Sequence, residues 1–216
     1  MGAKGNRMIE KYYNGVIEQV AGGIGNVEHN SILVRYSNDF SIWDLESVNH
    51  YKDQTDIFFT CHEFSYNKIA EAYEPYLGLI RQMFHKYCSG TLEEFMEECD
   101  VYKLQRPVFE SYFEKGFCER TEQILIDEVE YEQERMRNSI VTMLQKLSEI
   151  RPVVIVLNRF QLASKSTMQL TNSLLQVKNK NIGIVLGVND VQSIPEFAHE
   201  EWDAICESMD DRNMVY

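Results

Sequence analysis

The chain lacks the stretches that most often announce a function. No apolar run approaches the length of a membrane span, and Met1-Gly2-Ala3-Lys4 leads into polar residues rather than the apolar core of a signal peptide. No block of lysine or arginine interrupts a formal net charge of −13, so neither a nucleic-acid footprint nor a patch for anionic lipid is expected. The five cysteines, Cys61, Cys88, Cys99, Cys118 and Cys206, form no CxxC pair and are odd in number. That pattern fits reduced thiols better than a disulfide framework or a zinc site. Five histidines, at His29, His50, His62, His85 and His199, show neither HxH nor HExxH spacing, and there is no GxSxG elbow. Zinc chemistry and the α/β-hydrolase mechanism therefore lose their usual carriers. A single cytoplasmic domain is the expectation at 216 residues, long enough for one sizeable core.

What is present centres on Arg151 to Gly187. The apolar run Val153-Val154-Ile155-Val156-Leu157 stops at Asn158-Arg159, and a second run, Ile182 to Leu186, follows after one helical segment. Two short, nearly all-apolar runs joined by a helix read as neighbouring parallel strands covered on both faces. Ligands of such sheets bind beyond the carboxyl ends of the strands, which directs attention to Asn158, Arg159, Gly187 and Asn189. Ser164 suits the N-cap of the connecting helix.

Elsewhere, Met8, Ile9, Tyr12, Tyr13, Val16, Ile17 and Val20 recur at helical spacing, and Gly22-Gly23 supplies a stop. Ile32 to Tyr36 reads as a short strand or a helical turn, and Asn38 to His50 fits neither period. Ile57 to Cys61 is a further strand candidate. A helix is expected from about Glu74, carrying Tyr73, Leu77, Ile80, Met83 and Phe84 on one face. Two shorter helices broken at Arg106-Pro107 fill a helical insertion over residues 91–119; its cluster of Glu93, Glu94, Glu97 and Glu98 reads as a solvated face. The longest pattern, Thr121 to Ile150, ends at Pro152. Ser193-Ile194-Pro195 opens a last helix with Pro195 at its first position, burying Phe197, Trp202, Ile205 and Met209. Asn213 to Tyr216 could begin one more strand.

The run RPVVIVLNRFQLASKSTMQLTNSLL, Arg151 to Leu175, resembles the Walker B region of the STAND ATPases, signal-transduction relatives of the AAA+ ATPases. In that family an apolar strand and two aspartates precede Leu-His-Trp-Ala-Asp-x-Ser-Thr and a leucine-rich helix; Ala163, Ser166, Thr167 and Leu170 stand where the pattern wants them. The helix ending in Arg151-Pro152, the stretch Tyr73-Glu74-Pro75-Tyr76-Leu77, and Ile184 to Asn189 as a sensor strand are also similar, so the likeness runs from about Ile57 to Asn189. It implies an α/β fold, a mainly parallel sheet with helices on both faces, P-loop NTPase-like, in one domain over residues 1–216. It also leaves ATP and magnesium open as cofactors without fixing either, and implies a protein partner or fused output domain.

The departures from the family carry the functional expectation. Asn158 and Arg159 replace the carboxylates that hold magnesium and polarise the attacking water. A neutral amide is a weak partner for a hard dication, and a permanent cation can be neither its ligand nor a base. Two glycine stretches compete as remnants of the phosphate loop: Gly2-Ala3-Lys4-Gly5-Asn6-Arg7, and Gly22-Gly23-Ile24-Gly25-Asn26-Val27. Neither has the Lys-Ser/Thr pair in place, and each also has a plain reading, a chain terminus or a helix cap with a turn. If the first were the loop, the central strand before it would be missing and the domain truncated. The site residues expected are Gly22, Gly23, Gly25, Asn26, Asn158, Arg159 and Asn189, with no catalytic residue and no metal ligand named. The expected function is a regulatory or interaction module that has lost hydrolysis. A weakly hydrolysing signalling ATPase and a sensor for another small ligand stand as alternatives.

Overall fold

The computed structural model describes residues 2–25, 30–37, 40–52, 54, 56–68, 70–116, 129–190 and 194–213. Helix α1 (Gly2–Gly22) leads into β1 (Ser31–Tyr36), α2 (Glu46–Lys52) and β2 (Phe58–Glu63). Then come α3 (Tyr76–Tyr87), α4 (Leu92–Glu98), α5 (Arg106–Lys115) and α6 (Val129–Ile150). Strand β3 (Val153–Asn158), α7 (Lys165–Val177), β4 (Ile182–Asn189), α8 (His199–Ser208) and β5 (Asp210–Asn213) complete the order. The five strands form one sheet in the order β2-β3-β4-β1-β5, and all four pairings are parallel. The α/β, P-loop NTPase-like architecture expected from the sequence is the one observed.

Every residue of β3 and β4 is buried, which is why those strands read as unbroken apolar runs. Alternate side chains serve two cores. Val153, Ile155 and Leu157 point toward α3, α6, α7 and α8, while Val154 and Val156 point toward α1 and α2. Ile9, Tyr13, Val16, Ile17 and Val20, one stripe of α1, lie flat on the second face. Close approach there depends on the glycines of β4. A Cβ on Gly183 would come within 2.6 Å of Val20 Cγ1, and one on Gly187 would strike the Tyr13 hydroxyl.

Several element boundaries shift from the sequence expectation. The break between the two insertion helices falls at residues 99–105, and Arg106-Pro107 opens α5 instead of interrupting it, because proline suits a first helical turn whose amide needs no acceptor. Pro195 sits before a short 3-10 turn, Glu196–Ala198, rather than at the first position of α8. The last strand begins at Asp210, three residues earlier than expected. Residues 121–128 of the long helix pattern and 214–216 lie outside the described residues. Among the described residues no helix is long and apolar enough to cross a membrane.

Candidate functional site at the carboxyl ends of the strands

Strand β1 lies between β4 and β5, inside the sheet, where a P-loop NTPase-like architecture carries the strand that precedes its phosphate loop. The segment between β1 and α2, residues 37–45, has the sequence Ser-Asn-Asp-Phe-Ser-Ile-Trp-Asp-Leu, with no glycine and no lysine; its residues 38–39 lie outside the described residues. Gly2–Arg7 belong to the first turns of α1 and form no loop.

The remaining glycines fall at the wrong end of the sheet. Gly22 and Gly23 close α1, with the Gly23 amide bonded to the Gln19 carbonyl at 2.9 Å. Gly25 donates to the Lys180 carbonyl, 2.8 Å, just before β4 begins. Asn158, Arg159 and Asn189 stand at the other ends of their strands, roughly 20 Å away along a strand of this length. The two groups therefore lie at opposite ends of the strands, too far apart for one small ligand to touch both. Asn26 lies outside the described residues.

At the carboxyl ends, the residues form a closed polar cluster. Asn158 is fully buried; its Oδ1 accepts the Tyr36 hydroxyl at 2.7 Å, and its amide reaches the Phe40 carbonyl at 3.5 Å. This bridge from β3 to β1 passes over Gly187 of β4, whose missing side chain leaves the room. Arg159, in a left-handed backbone conformation (φ 54°), turns its guanidinium to Glu63 at the end of β2, 2.8 Å away, and lies over the Tyr66 ring. The other oxygen of Glu63 accepts the Ile42 backbone amide (3.0 Å) and the Ser41 hydroxyl (3.2 Å). One carboxylate thus binds a backbone N–H, a hydroxyl and a guanidinium, the three donor types a phosphate would draw on. Asn189 donates its backbone amide to Gln161 Oε1 at 3.3 Å and is 5% exposed, so it ties β4 to the turn after β3.

Aromatic rings seal the cluster from below. Phe40 makes edge contacts with Tyr13 and Tyr36 at 5.3 and 4.9 Å between centroids. The Tyr13 hydroxyl is buried without a hydrogen-bond partner, and burial pushes its pKa well above the ordinary phenol range. It stays protonated and serves packing.

This donor set does not fit magnesium with a nucleotide triphosphate. The Asn158 oxygen is spent on Tyr36, the Glu63 carboxylate is spent on Arg159 and the segment after β1, and residues 37–45 contain no lysine. Among the described residues no group of three histidine, cysteine or acidic side chains could hold a metal, which includes the glutamates of α4. Glu63, Ser41, Ile42 and Tyr36 were not anticipated from the sequence. Their signal was the strand end: extending the Ile57–Cys61 run by two residues sets Glu63 in register with Asn158.

The fold and the cluster together define a parallel α/β domain of P-loop NTPase-like architecture whose strand-end crevice is filled by its own side chains. No protein-family model matches the chain, and no curated protein matches it.

Proposed function

We propose that the chain is a regulatory or interaction module on a STAND-type ATPase scaffold, working without ATP hydrolysis. The observation that carries this reading is the Glu63 carboxylate seated among Ile42 N–H, the Ser41 hydroxyl and Arg159. A carboxylate in that position competes with a phosphate for the same donors as an intramolecular ligand, at high effective concentration. Arg159 in place of an acidic residue supports the same reading, since a guanidinium repels the dication that phosphoryl transfer needs. What such a scaffold retains is its surface and its capacity to pack against a partner or a fused output domain.

Thermal-shift titration tests the reading. A ligand bound only by the native state at 100 times its Kd adds about 2.7 kcal/mol, worth roughly 5–11 °C for a chain of this size. The expected result is no shift of Tm with ATP, ADP or GTP at millimolar concentration, with or without magnesium. A magnesium-dependent rise of several degrees, or turnover of ATP by the purified chain, would overturn it.

A further inference from the structure

Strand β2 is an outer strand of the sheet, with β3 on one side only. Phe58 donates its amide to the Pro152 carbonyl (2.7 Å) and Phe64 donates to Asn158 (3.1 Å), so the even-numbered residues face β3. The amides and carbonyls of the odd-numbered residues, Phe59, Cys61 and Glu63, therefore point away from the sheet. No described residue pairs with those backbone groups.

Two cavities run along this edge. One, of about 240 Å³, lies beside Thr60, Cys61 and His62 and is closed by Glu71, Glu74 and Gln82; the other, of about 520 Å³, lies beside Phe58 and reaches Arg81 and Lys86. Both include Gly78 and Gln82 of α3, so they form one groove between the strand edge and the helix. The absent side chain of Gly78 makes its floor: a Cβ there would have only the Tyr112 hydroxyl near it, at 3.5 Å. The groove is acidic where β2 ends, at Glu71 and Glu74, and basic where β2 begins, at Arg81 and Lys86. Lys68 reaches Glu74 at 3.2 Å and Glu71 at 3.5 Å, but its side chain is 59% exposed and free to be exchanged for another cation. Arg81 gives its hydrogens to the Phe113 and Glu114 carbonyls at the end of α5, and no carboxylate among the described residues pairs with it.

We infer that this groove takes an extended peptide segment of a partner protein, added as a sixth strand on β2. The segment would span about five residues at 3.3 Å each, with a lysine or arginine at the Glu71–Glu74 end and an aspartate or glutamate at the Arg81–Lys86 end. Main-chain hydrogen bonds to Phe59, Cys61 and Glu63 supply affinity, and alternate side chains entering the groove supply selectivity. Flanking walls argue for a single strand over a second copy of the chain. Glu71 and Ala72 line the groove together with Cys61 and residues of α3, so a facing sheet with its own helices would meet them first. The net charge of −13 also opposes self-association. This inference rests on the reading of the chain as an interaction module and names its partner surface.

A display library of random seven-residue peptides, selected on the full chain, tests it. Enriched sequences should carry a basic and an acidic residue about four positions apart around β-branched or aromatic residues. Labelled synthetic copies should bind at least tenfold more weakly to Gly78→Trp, which fills the groove, and when their backbone is N-methylated at alternate residues. Glu71→Gln with Glu74→Gln should weaken binding at least fivefold and relax the preference for the basic residue. Circular dichroism confirms that each variant folds. Failure of any sequence to enrich, or equal binding by Gly78→Trp, would overturn the groove. A concentration-dependent dimer abolished by Gly78→Trp would also overturn it, by placing a second copy there. Nucleotide titration reads the underlying proposal separately: a chain that binds no nucleotide and selects no peptide refutes the groove alone.

Discussion

Removing the Glu63 carboxylate is the sharpest perturbation available, because one side chain holds three elements. Glu63 is 11% exposed and Arg159 is 17% exposed, so the pair is mostly withdrawn from water. Breaking a buried pair by deleting one partner costs about 3–5 kcal/mol. Arg159 retains some solvent contact and the Tyr66 ring above it, which brings the charge penalty toward about 2 kcal/mol. The Ile42 amide and Ser41 hydroxyl lose their acceptor as well, adding about 1 kcal/mol between them. Glu63→Ala should therefore lose about 3 kcal/mol, and Glu63→Gln, which keeps an acceptor but no charge, about 2 kcal/mol. For a chain of this length that is a fall in Tm of roughly 6–12 °C for the alanine variant. Because an unpaired cation is the main cost, adding Arg159→Met to Glu63→Ala should recover part of the loss and give a coupling near 2 kcal/mol. Urea unfolding followed by far-ultraviolet circular dichroism measures all four corners of the cycle. A cost below about 1 kcal/mol for Glu63→Ala, or strictly additive single changes, would refute the view that this carboxylate locks the strand ends.

Three further outcomes follow from neighbouring groups. Tyr13→Phe removes a buried hydroxyl that has no partner, so Tm should hold or rise; Gly187→Ala drives a methyl into that hydroxyl and should cost about 2 kcal/mol or more, part of it recovered when both changes are combined. Burial lowers the His62 pKa, with Glu74 at 3.8 Å opposing and Lys68 adding to the depression. Protonation thus favours the unfolded chain: the contribution is intact above the unfolded pKa of about 6.5 and is lost as pH falls through the lowered folded value. His62→Asn should flatten the decline of Tm between about pH 7 and pH 5, and an unchanged or steeper decline would contradict that sign. Asn158→Asp with Arg159→Asp should give no ATP turnover and a less stable chain, since two added carboxylates then face Glu63 without its cation; measurable turnover would sink the reading of the site as non-hydrolytic.

Glu63 and the turn after β1 also mark where reading the sequence stops. Val153 to Leu157 and Ile182 to Leu186 were legible as buried parallel strands because both of their faces are covered, so every residue is apolar. The stripe on α1 and the Ser164 cap were legible for similar local reasons, since the periodicity or the cap lies within a few residues. Strand β1 was ambiguous because Ser31 and Arg35 interrupt its apolar character, and with β1 uncertain the eye goes to glycines for a phosphate loop. Those glycines serve a helix end and a turn at the opposite ends of the strands.

The sequence by itself determined the fold class, the two covered faces of the sheet, and the absence of an acidic group at Asn158 and Arg159. Each depends on the chemistry of a residue and the spacing of its near neighbours. Only the tertiary structure decided that Glu63 from β2, Ser41 and Ile42 from the segment after β1, and Arg159 just past β3 meet in one cluster. They come from three segments of the chain, and parallel register, which a single sequence does not encode locally, brings their ends together. Neither Asn158 nor Arg159 can act as a metal-binding carboxylate or a base; the Glu63 carboxylate that the fold puts beside them explains what holds the strand ends closed.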